Sequence, residues 1–377
     1  MLDVDRRQVL AYRIAAHGLH RTDSDPARLA VFDLGVQDVT ARDTAALALA
    51  ARLAGTVTAR TLADDPGFVL AWTHRGAPHY HRAAEFPRLV PALFPLHDAD
   101  AEARMLWQRK EVATAGMPAT EVLLTAARAM REVVGTTMTK GTASTAVTRV
   151  VPAGLSRWCR PCQATHIHEQ LMRLAAPLAG LRLEAGVSPA TLTPLEGRPR
   201  VPTKPDIPAA TRIVGHYLRL HGPASAADAA GFVGTTRRTV AEDLWPAELT
   251  EVRVEGKPAY LPTDRVAALE QPPEPDLVRL LPPWDPFLQA RDRALLVPDK
   301  AHQKELWKII GNPGALLARG EIAGVWRTRS AGRRLEVTLT PFLPLPRAER
   351  AEAEAEAERA AAVRGYAEAR VRWQDAA

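Results

Sequence analysis

The sequence predicts a mainly α fold with β elements: winged-helix lobes in tandem, then a β-rich C-terminal unit that ends in a helix. Three observations carry this expectation. Residues 206–272 show three short helical patterns followed by an alternating hairpin, residues 116–205 repeat that order more loosely, and residues 314–342 alternate as strands around charged turns.

Prolines mark the seams. "VPTKPDIP" (201–208) and "EQPPEPD" (270–276) are Pro-rich and polar and read as linkers, and "GMPAT" (116–120) is a weaker break. Four parts result: an N-terminal region, 1–115, expected to be mostly helical; a winged-helix-like lobe, 116–205; a winged-helix lobe, 206–272; and a C-terminal unit, 273–377.

In the lobe 206–272, apolar residues at 213, 214, 217, 218 and 220 form one helix face, and "HGP" ends it. "SAADAAGF" restarts with Ser225 as N-cap and Asp228 three residues on, close to a capping box. A third helix opens at Thr235 or Thr236 and stops before Pro246; "TEVRVEGKPAYLP" then alternates around a Glu-Gly-Lys turn. The third helix would be the recognition element, with Arg237 and Arg238 on its first turn, where such helices meet base edges or phosphates, and Lys257 at the wing tip. In the looser copy, Val122, Ala126, Met130 and Val134 recur at four-residue spacing, and "KGTASTAVTRVVP" supplies a second helix beginning at Lys140.

The C-terminal unit begins with "RLLPPWDPFLQARDR" and continues as strands with turns at "RGE" and "RSAGRR", the latter a basic tip from Arg327 through Arg329 and Arg333 to Arg334. The closing Ala/Glu/Arg run reads as a helix whose charges form a solvated face.

Composition bounds the function. The chain of 377 residues is 46% hydrophobic and 24% charged, values of a globular protein. No apolar run reaches the roughly 18 residues of a spanning helix, and the acidic start "MLDVDRR" is unlike a secretory leader. With two cysteines in all, there is no disulfide framework, and a cytoplasmic protein is expected. Net charge is +6, and residues 149–242, with 12 Lys and Arg against 6 Asp and Glu, account for all of it. Clustered basic charge is the footprint of a phosphate-binding surface.

Two clusters could carry other chemistry. "CRPCQATHIH" places Cys159, Cys162, His166 and His168 together, and thiolate with imidazole is a zinc donor set. Its second half is compressed relative to common finger spacings, so the alternative is two buried cysteines beside surface histidines; no metal is expected. "WTHRGAPHYHR" gathers His74, His79 and His81 with Arg75, either as a DNA-contacting surface or as structure. No P-loop, G-x-G-x-x-G or H-E-x-x-H is present, so neither a nucleotide nor another cofactor is expected.

Several segments together resemble the AlkZ-like (YcaQ-type) winged-helix DNA glycosylases: "RRQVLAYRIAAHGL", "LGVQD" followed by "ALALAARL", "HRGAPH" and, most specifically, "LLPPWDPFLQARDR". The resemblance implies tandem winged-helix lobes with a barrel-like C-terminal unit, duplex DNA as partner, and excision of alkylated purines without a metal. The family's catalytic motif is a glutamine, an aliphatic residue, then a glutamine or aspartate. Gln37 matches its first position, but Asp38 holds the second and Val39 the third, a residue that neither orients water nor accepts a proton. On a regular helix the displaced carboxylate would be rotated by about 100°. Either a local irregularity returns Asp38 to the site, or Asp43 substitutes, or this branch lacks base excision.

The expected function is therefore a monofunctional DNA glycosylase acting as a monomer on double-stranded DNA, with Gln37 orienting water and Asp38 as base or electrostatic stabiliser. DNA contacts are expected from Arg75, His79, Lys140, Arg237, Arg238, Lys257, Arg327, Arg329, Arg333 and Arg334. The competing expectation is a non-catalytic winged-helix DNA-binding protein, a regulator or damage sensor.

Overall fold

The computed structural model describes residues 2–308 and 310–374. The chain divides into two compact units: Met1–Asp65 with Tyr217–Asp228 and Ala247–Ala377, and Pro66–His216 with Ala229–Pro246.

The first unit is organised by a five-stranded sheet in the order Val278–Leu281, Gly314–Ala318, Glu321–Ala331, Arg334–Pro341, Glu368–Trp373. The first four strands are antiparallel, and the fifth runs parallel to the fourth. A parallel return needs a crossover, and the helix Arg347–Val363 supplies it. Because that crossover adds Glu368–Trp373 beside Arg334–Pro341 and not beside Val278–Leu281, the sheet stays open and does not close into the expected barrel. The charged turns fall where the sequence placed them: Arg319 and Gly320 both have positive φ, as does Gly332 in the tip turn between Ala331 and Arg334. Gly314 admits no side chain, because a Cβ there would lie 2.1 Å from Trp326 Nε1, which donates to Leu281 O at 2.7 Å.

The sequence predicts a closing helix, but strand Glu368–Trp373 follows Arg347–Val363, and that helix is more than a solvated rod. Ala353, Ala357, Ala360 and Ala361 are buried, an i, i+4, i+7, i+8 stripe that packs on the sheet and on the helix Thr44–Ala50. Its other side finds partners: Glu356 takes Arg21 bidentately, and Arg359 binds the carbonyls of Ala50 and Leu53 at the end of helix Thr44–Ala50, where a cation also opposes the helix dipole. The helix Arg6–Ala16 starts on an Asp5 cap and buries Val9, Leu10, Tyr12 and Ile14. A three-stranded sheet joins Leu2–Val4 in parallel to the hairpin Leu249–Val254 and Lys257–Pro262. Its turn, Glu255–Gly256, has positive φ at both residues, the geometry that matches strand twist.

The second unit holds Pro78–Arg82, Phe68–Trp72, Leu181–Leu183, Thr191–Pro194 and Met138–Thr139 as consecutive neighbours in a sheet. A hairpin thus stands at residues 68–82, within the region expected to be mostly helical; five consecutive buried residues, Phe68 to Trp72, explain why no alternation betrayed it. The helix Ala119–Val133 buries Val122, Ala126 and Met130, with Val134 buried just beyond it. Helices Lys140–Thr148 and Glu169–Leu178 follow, with the two-stranded ribbon Ser156–Cys159 and Ala164–Ile167 between them.

Along the chain, the region 206–272 has helices Ile207–His221, Ala226–Val233 and Arg237–Asp243 before its hairpin. Ser225 and Asp228 form the reciprocal cap, and Thr236 caps the third helix. No helix among the described residues is long and apolar enough to cross a membrane.

Candidate active site

Gly35, at φ 86°, turns the chain into the short strand Val36–Gln37. Asp38 and Val39 follow; a 3-10 turn, Thr40–Arg42, then leads to Asp43 in the left-handed region, and only at Thr44 does a helix begin. The helical rotation expected between Asp38 and the motif's third position, Val39, therefore does not apply. The backbone is extended at Gln37, where successive side chains leave on opposite sides.

Asp38 is 6% exposed. Its Oδ2 accepts from Thr40 Oγ1 at 2.9 Å and its Oδ1 from the Ala45 backbone N–H at 3.3 Å, in the first turn of helix Thr44–Ala50. Thr44 Oγ1 completes the knot, accepting from Val39 N and donating to Gln37 O. Burial pushes the Asp38 carboxyl above its ordinary range; the two hydrogen bonds oppose this, and the Asp43 charge adds to it. A buried carboxyl with no cation paired to it among the described residues holds its proton to higher pH than a solvated one.

Gln37 is half-buried, and its Oε1 accepts from Gln289 Nε2 at 3.1 Å. Gln289 also donates to Trp284 O at 3.2 Å. Trp284 sits at φ 60°, a conformation that costs a bulky residue about 1–3 kcal/mol and persists only where neighbours enforce it. Asp285, the next residue, supplies the enforcement. It is fully buried with Arg52, meeting it through two hydrogen bonds of 2.7 and 2.8 Å, while Arg52 Nε donates to His17 O.

Basic side chains ring this segment. Arg42 lies over the Trp284 ring at 5.5 Å and donates to Asn312 O at 3.1 Å. Arg327 donates to the adjoining Gly311 O at 2.8 Å. Arg364 pairs with Asp43 at 3.0 Å and donates to Thr328 Oγ1. Burial lowers the Arg42 pKa first, and the nearby Arg327 and Arg364 charges lower it further. Three guanidiniums against two paired carboxylates, Asp43 at 3.0 Å from Arg364 and Glu305 at 3.6 Å from Arg327, leave a net positive rim able to receive phosphate.

Of the residues singled out in the sequence, Gln37, Asp38 and Asp43 lie on this segment of the first unit, and Arg327 is near enough to act electrostatically on its Arg42. Lys257 is exposed just after the Glu255–Gly256 turn, and Arg329, Arg333 and Arg334 stand exposed at the hairpin tip, Arg329 paired with Glu336 and Arg334 with Glu368. In the second unit, Arg237 and Arg238 are exposed on the first turn of their helix, Arg238 with Glu242. Lys140 binds Glu169 at 2.6 Å, and Arg75 lies over Phe232 with Nη1 donating to its carbonyl. His79 is interior: it, His74 and His81 are buried, with Thr73 Oγ1 3.0 Å from both His79 Nδ1 and His81 Nε2. Burial holds all three well below the ordinary histidine range, His81 down to about 3, so they are neutral.

Sequence reasoning missed Arg42, Trp284, Gln289 and Arg364. Trp284 and Gln289 lie inside the most specific segment, so a signal existed; Arg364 is one arginine in a run of them and carried none.

A family model described as DNA glycosylase AlkZ-like matches residues 31–363. Among solved structures, the Streptomyces sahachiroi DNA glycosylase AlkZ superposes with a TM-score of 0.75 at 20% identity, covering 99% of this chain and 100% of that one. At that identity the likeness shows a shared fold. No curated protein sequence matches.

Proposed function

We propose, from the premise that this chain belongs to the AlkZ-like DNA glycosylase family, that it hydrolyses the N-glycosidic bond of alkylated purines in duplex DNA, with Gln37 and Asp38 as its catalytic residues. The observation that carries this is the Gln289–Gln37 hydrogen bond, which fixes the amide of the motif glutamine in one orientation. An N3- or N7-alkylated purine leaves as a neutral base, so the site needs no acid. It has to position one water and stabilise a cationic sugar, and positioning alone contributes several kcal/mol. In this reading Gln37 orients the water and Asp38 supplies negative charge or accepts the water's proton.

The helix, helix, helix, hairpin order at 207–262 supports reading that region as a winged-helix lobe, and 119–194 keeps three helices and a closing hairpin with the ribbon Ser156–Ile167 inserted before the third helix. Arg237, Arg238 and Lys257 would then contact DNA from the second lobe, Lys140 from the first, and Arg75 from the 68–82 hairpin that precedes it. The tip residues Arg327, Arg329, Arg333 and Arg334 would meet phosphates near the site, while His79 would act by supporting Thr73. The competing reading, binding without catalysis, is favoured by one fact: both Asp38 oxygens are already engaged, Oδ2 by the Thr40 hydroxyl and Oδ1 by the Ala45 N–H of the following helix.

Duplex carrying an N7-alkylguanine separates the two. Base release by the purified chain supports the glycosylase; tight, salt-dependent duplex binding with no release supports the binding protein.

A further inference from the structure

We propose that Cys159, Cys162 and His166 bind one zinc ion that clips the ribbon Ser156–Ile167. The chain has only two cysteines, both are free, and they converge with one histidine so that the three ligand atoms lie within 4.8 Å of one another. Cysteine is among the residues most often buried, yet Cys162 is exposed and Cys159 half-exposed. The expectation of two buried structural cysteines is therefore not met.

The backbone is shaped for a metal. Cys159 ends one strand opposite Ala164, and the turn between them returns through Gln163 at φ 49°. This geometry turns both sulfurs and a His166 ring nitrogen toward one point, within reach of a single ion. His166 Nδ1 lies 2.9 Å from the Ile167 carbonyl. Donation of Nδ1–H to that oxygen leaves Nε2 with its lone pair, the outer hydrogen bond that zinc-ligating histidines characteristically make. Two thiolates and an imidazole select zinc among the common divalent ions.

The fourth position falls to water. Glu169, the nearest acid in sequence, already gives Oε1 to Lys140 at 2.6 Å and Arg173 at 2.7 Å. His168 does not join the set: it is buried at the start of helix Glu169–Leu178. Binding releases the two thiol protons to solvent.

A need for the clip is visible. The ribbon is a sheet of two strands only, marginal by itself in water, and it carries Trp158 at 61% exposure. A metal joining both strands to their turn would hold it rigid.

The test uses the untagged full chain, purified under reducing conditions, equilibrated with zinc chloride and dialysed exhaustively against metal-free buffer. One zinc per chain by mass spectrometry is expected, with both thiols unreactive to a thiol reagent until a chelator is added. Cys159→Ser, Cys162→Ser and His166→Ala should each retain less than a tenth of that zinc while keeping the wild-type circular dichroism spectrum. Cobalt reconstitution of the wild type should give a thiolate charge-transfer band that Cys159→Ser lacks. Wild type without stoichiometric zinc and with freely reacting thiols overturns the proposal. So does a Cys159–Cys162 disulfide whose reduced form still takes no metal. No arm reads base release, so the outcome is independent of the glycosylase reading.

Discussion

Gln289 Nε2 donates to Gln37 Oε1 at 3.1 Å across 252 residues of chain. The bond links the short motif segment at residues 34–38 to the segment "PPWDPFLQ", and its neighbours repeat the pattern: Asp285 holds Arg52, and Asp292 holds Arg13 through hydrogen bonds of 2.6 and 3.0 Å. One segment thus anchors the three other stretches of the first unit that carry the family resemblance.

Removing the orienting partner should slow chemistry without loosening DNA. Gln289→Ala leaves the Gln37 amide free to rotate, and one neutral hydrogen bond contributes about 1 kcal/mol. Single-turnover base release should fall about five-fold while duplex affinity stays within two-fold. An equal loss in affinity would make Gln289 a binding residue instead.

The pH profile of base release should report on Asp38. Its carboxyl pKa is raised by burial, and in the proposed mechanism the ionised form is the active one. Rate is therefore full above the raised pKa and falls as pH drops through it, an acid limb lying above the ordinary carboxylate range. Asp38→Asn should lower the rate and abolish that limb. If the limb persists in the variant, it belongs to another group.

The Arg52–Asp285 pair should behave as scaffold. Both side chains are fully buried, so losing one partner strands a charge, at a cost of about 3–5 kcal/mol. Asp285→Ala should lose that much by chemical denaturation, and Arg52→Met with Asp285→Leu should lose less than either single change. Strict additivity would contradict the pairing.

Stability should fall with acid in a defined window. His17, His221, His74, His79 and His81 are all buried, with pKa values lowered chiefly by desolvation. Above their unfolded pKa of about 6.5 they are neutral in both states and cost nothing. As pH drops below it, the unfolded chain takes up protons that the folded chain cannot, and stability declines until the folded values, about 3 for His81, are passed. Denaturation midpoints flat from pH 7.5 to 7 and falling steadily from about 6.5 to 4 are expected; a midpoint that rises on acidification would contradict this burial.

Much of this architecture was legible because local chemistry dictated it. The Ser225–Asp228 cap, the buried spacing of Val122, Ala126 and Met130, and the charged turns at Arg319–Gly320 and Gly332–Arg333 each follow from a few adjacent residues. The hairpin at 68–82 was not legible, since a short all-buried apolar run has neither helical nor strand period. The Ala353–Ala361 stripe hid behind the alternating charges around it. At the site, Gln37 and Asp38 could be named but not oriented. Their backbone is set by Gly35 and Thr44, and the Gln37 side chain by Gln289, which lies far along the chain.

The central claim is that Gln37 positions the water that cleaves the glycosidic bond. Its most direct measurement is single-turnover release of N7-methylguanine from duplex DNA by wild type and Gln37→Ala, with duplex affinity measured on the same preparations. The account predicts release by the wild type, a loss of about a hundred-fold or more in the variant, and affinity unchanged within two-fold. Equal release by both proteins, or none by the wild type despite intact duplex binding, would contradict it.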